Sequence, residues 1–190
     1  MLKDGMTLYH GSYARVECID LAMCRPGKDF GAGFYLTSSW NQARAFIRSS
    51  VRKARDLGLV SNEGEDGYVS SFVFHAPKDC IPTYEFETAD ASWLWFIAQN
   101  RKSSSARVLR GKLDSRVLDA EIVVGKIAND TTNRVIAAYL EGLFGPVDSE
   151  GATQLAIAQL MPDRLHDQFC FLSQRAVGCL EFVEALRYGR

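Results

Sequence analysis

The stretch Asp29-Phe-Gly-Ala-Gly-Phe-Tyr-Leu-Thr-Ser38 constrains this chain most, because it joins a glycine pair, a short aromatic strand and a hydroxyl-rich helix start. Gly31 and Gly33 lack a Cβ, so the backbone there can take unusual dihedrals or lie against a ligand before straightening into Phe34-Tyr-Leu-Thr37. Tyr35, just after that flexible pair, is placed to lay its ring against a flat ligand, and a cationic ring gains further from the aromatic face. A Gly-x-Gly alone is more often an ordinary turn, so the weight falls on what accompanies it. From Ser39 to about Leu57, Trp40, Ala43, Ile47, Val51, Ala54 and Leu57 recur at helical spacing. Arg44, Arg48, Arg52 and Arg55 fall largely elsewhere, which predicts an amphipathic helix with a solvated basic face.

The remaining signals alternate between strand and helix. Met6–His10 reads as a strand stopping at Gly11-Ser12, which puts His10 at its end. Arg25-Pro-Gly-Lys-Asp29 reads as an exposed loop able to cover a pocket. Ser61–Gly67 is an acidic loop whose spacing does not match a calcium-binding EF-hand. Strands are predicted over Tyr68–His75, Thr83–Glu87, Asp119–Gly125 and His166–Leu172. Asp90 is a cap for a helix carrying Trp93, Leu94, Phe96 and Ile97, while Asn129 or Asp130 begins a helix reaching Phe144. A further helix spans about Ser149 to Met161, ended by Pro162, and Gln174–Arg187 reads equally as short helix or final strand. The chain contains no internal repeat or linker and reads as one domain over residues 1–190.

Hydrophobic residues make up 47% of the 190 and charged ones 24%, with a net charge of −1, so no global field draws the protein to nucleic acid or anionic membrane. Cys18, Cys24, Cys80, Cys170 and Cys179 are scattered, odd in number and without a Cys-x-x-Cys pair, and read as reduced thiols of a cytosol. Cys170 and Cys179 are expected in the core, and neither the cysteines nor His75 and His166 form a metal-ligand pattern, so no metal is expected. No stretch approaches the ~18 apolar residues of a membrane span, and no apolar leader follows the first lysine. A cytoplasmic location is expected.

Leu8-Tyr-His-Gly-Ser12 followed by Phe30-Gly-Ala-Gly-Phe-Tyr-Leu36 resembles the His-Gly-Ser/Thr and Gly-x-Gly-aromatic-Tyr motifs of the ADP-ribosyltransferase superfamily, in its poly(ADP-ribose) polymerase-like or diphtheria-toxin-like branch. Each half is weak alone; the pair is specific. The likeness runs on through Cys24–Gly31 and Ile122–Asp130 and covers nearly the whole chain, which is similar to an uncharacterised bacterial family placed among these transferases.

The resemblance implies an α+β fold of split, mostly antiparallel sheets around an NAD cleft with flanking helices. It implies that His10 bonds the adenosine ribose of NAD, that Gly11 pairs its backbone with the nicotinamide carboxamide, and that Tyr35 stacks on the nicotinamide ring. Ser12 and Gly33 belong to the same motifs, and Ser38, Ser39 and Asn41 are the candidates for a carboxamide-binding residue after the tyrosine. The third position of the His-Tyr-Glu signature matches Gln168, with Asp167 as the fallback on the opposite face of the strand. Glutamine can hold a ribose hydroxyl but cannot act as a general base near neutral pH, which argues against polymer elongation.

The activity implied is therefore single transfer of ADP-ribose from NAD, a co-substrate, to a protein or nucleic-acid acceptor, with nicotinamide released, as in a bacterial toxin or effector held by an antitoxin-like inhibitor. The alternatives are an NAD glycohydrolase and a catalytically silent NAD- or ADP-ribose-binding module. Asn129 and Asp130 are read as helix caps rather than cleft residues.

Overall fold

The computed structural model describes residues 1–61, 66–101, 108–126, 130–160 and 167–189. Strand β1 (Thr7–Ser12) pairs antiparallel with β3 (Gly67–Phe74), which pairs antiparallel with β7 (Leu180–Tyr188). A second sheet runs in the order β2 (Phe34–Leu36), β6 (Asp167–Phe171), β5 (Ile122–Lys126), β4 (Thr83–Glu85). Its junctions are antiparallel except for the parallel β4–β5 pair. The architecture is α+β.

Side-chain alternation along the strands decides how these sheets stack. Leu8, Phe72 and Phe74 of the first sheet pack with Phe34, Leu36, Ile122, Val124, Phe169 and Phe171 of the second, forming an apolar layer between them. The intervening positions of the second sheet, Val123 and Cys170, face helices instead. Those helices are α2 (Ala91–Arg101), α4 (Asp130–Leu140) and α5 (Glu150–Leu160), with α3 (Ser115–Leu118) as a short turn before β5. Helix α2 buries Trp93, Leu94, Phe96, Ile97 and Ala98, a nearly all-round apolar surface that suits the middle of a core. Asp90 caps it as predicted, its carboxylate accepting from the Trp93 N–H at 3.0 Å.

Helix α1 (Trp40–Asp56) covers the outer face of the three-stranded sheet. It buries Ala43, Ile47, Val51 and Ala54 against Val69, Tyr9 and Tyr13, as the periodicity predicts. Burying the Ile47 and Val51 side chains contributes roughly 1.5–3 kcal/mol each. Ser39 caps the helix by accepting from the Gln42 N–H at 3.3 Å. Leu57 lies past its end and is exposed. Arg44 on the outer face packs over Trp40 and Tyr188, at 5.8 and 5.4 Å from their ring centres.

Several boundaries differ from the sequence expectation. His10 does not end β1, because the β3 ladder holds Gly11 opposite Val69 and Ser12 opposite Tyr68. Asp119–Glu121 precede β5 rather than belonging to it, and α4 stops at Leu140. The ambiguous C-terminal segment is both things in turn: α6 (Gln174–Val177), capped by Ser173, then β7. Asn129, Met161, Pro162 and His166 lie outside the described residues. All five cysteines are free, with Cys170 and Cys179 buried. No helix among the described residues is long and apolar enough to cross a membrane.

Candidate functional site

Among the described residues, the two sheets touch through their backbones at one bridge, where Tyr9 and Thr37 exchange N–H···O bonds of 2.8 and 3.0 Å. Continued antiparallel pairing would set Gly11 opposite Tyr35. The strands separate instead, and the carbonyl of Tyr35 accepts from His10 Nδ1 at 2.8 Å. Tyr9 turns its backbone N–H and C=O toward the Thr37 end of β2, so the alternation of a strand turns those of Gly11 to the same side.

A carbonyl oxygen only accepts, so His10 carries its proton on Nδ1 and leaves the Nε2 lone pair free to accept. The ring packs 4.5 Å from the centre of Phe34. Burial lowers its pKa to about 4, with the Lys28 charge adding to the fall and the bond to Tyr35 opposing it. Neutral imidazole is the form present at pH 7. Since the unfolded histidine titrates near 6.5, the unfolded chain binds more protons between that value and about 4. Stability contributed by neutral His10 is thus complete above pH 6.5 and falls as pH drops toward 4, by at most about 1.4 kcal/mol per pH unit. Thermal unfolding of the native protein and His10→Gln from pH 7 to 4 is expected to give a shallower decline for the variant. Parallel curves would count against it.

Tyr35 projects to the helical face of the second sheet, opposite Cys170 in the ladder. Its hydroxyl donates to the Gly31 carbonyl at 2.8 Å and accepts from the Phe30 N–H at 2.9 Å. Burial holds it firmly as the phenol. Its polar end is thereby used by its own loop, and its ring packs against the helical core and Phe30. Burial also pushes the Cys170 thiol up to about 12, so it is not a nucleophile at neutral pH.

Gln168 lies on the same face as Cys170, two residues along β6, and is buried. Its Nε2 donates to Asp29 Oδ2 at 3.4 Å and to the Lys126 carbonyl at 3.3 Å. Both partners are acceptors, which fixes the amide and leaves Oε1 as its available acceptor. Asp29 is held in turn by Arg101 at the end of α2, with Nε donating at 2.7 Å, and its carbonyl accepts from Asn100 at 3.1 Å. Asp167 projects the other way and is ion-paired to Lys126 at 2.9 Å. It faces a separate concavity lined by Glu85, Phe86, Glu87 and Val124.

The structure therefore holds His10 against the backbone of Tyr35, with Gly11 next to it in β1, and sets Gln168 on the tyrosine's face of the second sheet. Of the other motif residues, Gly33 and Ser12 have structural partners. A Cβ on Gly33 would come within 2.5 Å of Cys170 Sγ and 2.7 Å of the Phe171 carbonyl, so that glycine is required by the neighbouring strand. Ser12 Oγ accepts from the Ala14 N–H, while Ser38 and Asn41 are exposed at the start of α1. Asp29, Arg101 and Lys28 were not singled out from sequence. The Asp29–Arg101 pair joins residues far apart in the chain and carries no local signal, whereas Lys28 stood in plain view of Tyr35 within the same loop. Among the described residues, no group of three or more His, Cys, Asp or Glu side chains is arranged to hold a metal.

In this α+β protein His10, Gly11, Tyr35 and Gln168 thus offer two acceptors, a backbone donor–acceptor pair and an aromatic ring. A family model described as "Protein of unknown function (DUF3990)" matches residues 6–182, and the chain belongs to that family. No curated protein and no solved structure matches the chain.

Proposed function

We propose that this groove binds NAD and that the protein transfers a single ADP-ribose from it to a macromolecular acceptor. The observation that supports this reading is the hydrogen bond from His10 to the Tyr35 carbonyl, which sets the His10-Gly11 pair of β1 beside β2. Free Nε2 of His10 suits a ribose hydroxyl, the N–H and C=O of Gly11 suit a primary carboxamide, and the Tyr35 ring suits a cationic pyridinium. Gln168 Oε1 suits a second ribose hydroxyl.

In this reaction the bond from the ribose C1′ to the pyridinium nitrogen breaks and its electron pair stays with the ring, which leaves as neutral nicotinamide. The acceptor's lone pair then forms the new bond to C1′. None of His10, Tyr35 and Gln168 is a carboxylate, so no carboxylate base takes the acceptor's proton, which passes to water, and the site's contribution is orientation. A protein or nucleic-acid acceptor, action in a cytoplasm as a toxin or effector, and control by an inhibitory protein belong to the same proposal. The fixed, uncharged amide of Gln168 also favours a second reading, a module that binds NAD without cleaving it.

Nicotinamide release from labelled NAD separates these readings. The native protein is expected to release nicotinamide with cell extract present and to label a macromolecule, and Tyr35→Ala to lose about tenfold or more, consistent with an aromatic stack worth ~1.5 kcal/mol. Release into water without extract identifies a glycohydrolase. NAD binding without release identifies the silent module, and no binding at all rejects the site.

A further inference from the structure

The loop before Tyr35 already places a cation on the ring. Lys28 Nζ lies 5.3 Å from the centre of Tyr35, and Phe30, two residues on, stacks obliquely on the same ring at 6.5 Å. Phe30 is 1% exposed and belongs to the core. Lys28 is exposed, so its ammonium can leave the ring for water. The segment is bounded by Gly27 and Gly31, whose φ values of +80° and +96° are ones that few other residues adopt, and a Cβ at Gly27 would meet nothing within 4 Å. Asp29, next to Lys28, is anchored by Arg101 and Gln168, which fixes where the lysine stem starts.

On the reading of this groove as an NAD site, we propose that Lys28 is an internal competitor for the Tyr35 ring, displaced by the nicotinamide moiety on binding and reoccupying the ring when nicotinamide leaves. The ammonium occupies the electrostatic position that a pyridinium would take. An arriving cationic ring restores the interaction that its entry disrupts, whereas neutral nicotinamide does not. Return of Lys28 therefore favours product release. The influence of the Lys28 charge on both His10 and Cys170 agrees with its place beside this group.

The test is calorimetric binding of NAD, nicotinamide and ADP-ribose to the full chain and to Lys28→Ala and Lys28→Arg. Lys28→Ala is expected to bind both ring-bearing ligands about two- to fivefold more tightly, the range that follows from a partly exposed cation–π contact. ADP-ribose, which has no ring to place there, is expected to bind both proteins equally, and Lys28→Arg to behave as the native chain. Unchanged or weaker NAD binding by Lys28→Ala overturns the proposal while leaving the NAD site standing. An equal gain for ADP-ribose overturns it too, because that would mark general opening of the loop. Failure of every protein to bind NAD removes the NAD reading and this proposal with it.

Discussion

Gly11→Ala is expected to destabilise the protein by about 3 kcal/mol or more, at the upper end of overpacking effects. A Cβ at this position would lie 1.8 Å from the Ala43 carbonyl oxygen and 3.2 Å from Phe46 Cβ. The first clash is with backbone, so no rotamer change relieves it. Helix α1 would have to move off β1, exposing the layer built on Ile47 and Val51. Urea or thermal unfolding measures this, with an expected fall in Tm of about 6–12 °C for a chain of this size. A loss below about 1 kcal/mol would mean that the helix does not sit against the strand as described. The result bears on function too, because the glycine of the His-Gly pair then has a packing requirement independent of any ligand.

Gln168→Glu is expected to lower stability by about 2–4 kcal/mol without raising nicotinamide release. The amide donates to a carboxylate and to a carbonyl, so an introduced carboxylate would set acceptor against acceptor and charge against charge beside Asp29. Its own burial and the Asp29 charge would raise its pKa above the ordinary ~4.3. The unfolded chain would then lose that proton first as pH rises, so the penalty should be smallest at low pH and grow toward neutrality. Gln168→Met, which removes the donor without adding charge, should cost less at pH 7. If the glutamate variant were as stable as the native protein and released nicotinamide tenfold faster, the position would be an ordinary glutamate site that happens to hold glutamine. The expected result instead marks an environment built for an amide, with Arg101 and Asp29 arranged around a neutral partner.

The elements legible in the sequence were those whose signal is local. Asp90 sits one step before an apolar repeat and caps as predicted, while Ser39, read as the start of its helical run, is the cap of that run. Alternation in the segments around Phe72 and Phe169 located β3 and β6, because each strand has two different buried faces. Alternation also put Asp167 and Gln168 on opposite faces. What sequence could not reveal was pairing. That β1 meets β2 at a single bridge and then departs from it depends on the His10 ring taking the Tyr35 carbonyl, a contact across the loop between them. The short β4 strand runs parallel to β5, an arrangement set by the helical crossover and not by anything within Thr83–Glu85. The strand end expected at Gly11 was misplaced because a glycine that signals a turn locally was selected here for close approach to a helix.

The interleaving of the two sheets along the chain has a consequence for synthesis. Strand β3 is the middle strand of its sheet, yet its outer neighbour β7 is the last strand described. Roughly a hundred residues separate the two, about 5–20 s of translation at ordinary ribosomal rates. During that interval one edge of β3 emerges without its partner, and Phe72 lacks the ring of Phe182 that later packs edge-on against it. A nascent chain with an open strand edge is a template for pairing with its neighbours on a polysome. Delayed closure of this kind makes chaperone occupancy, rather than final stability, the factor expected to govern yield in the cell.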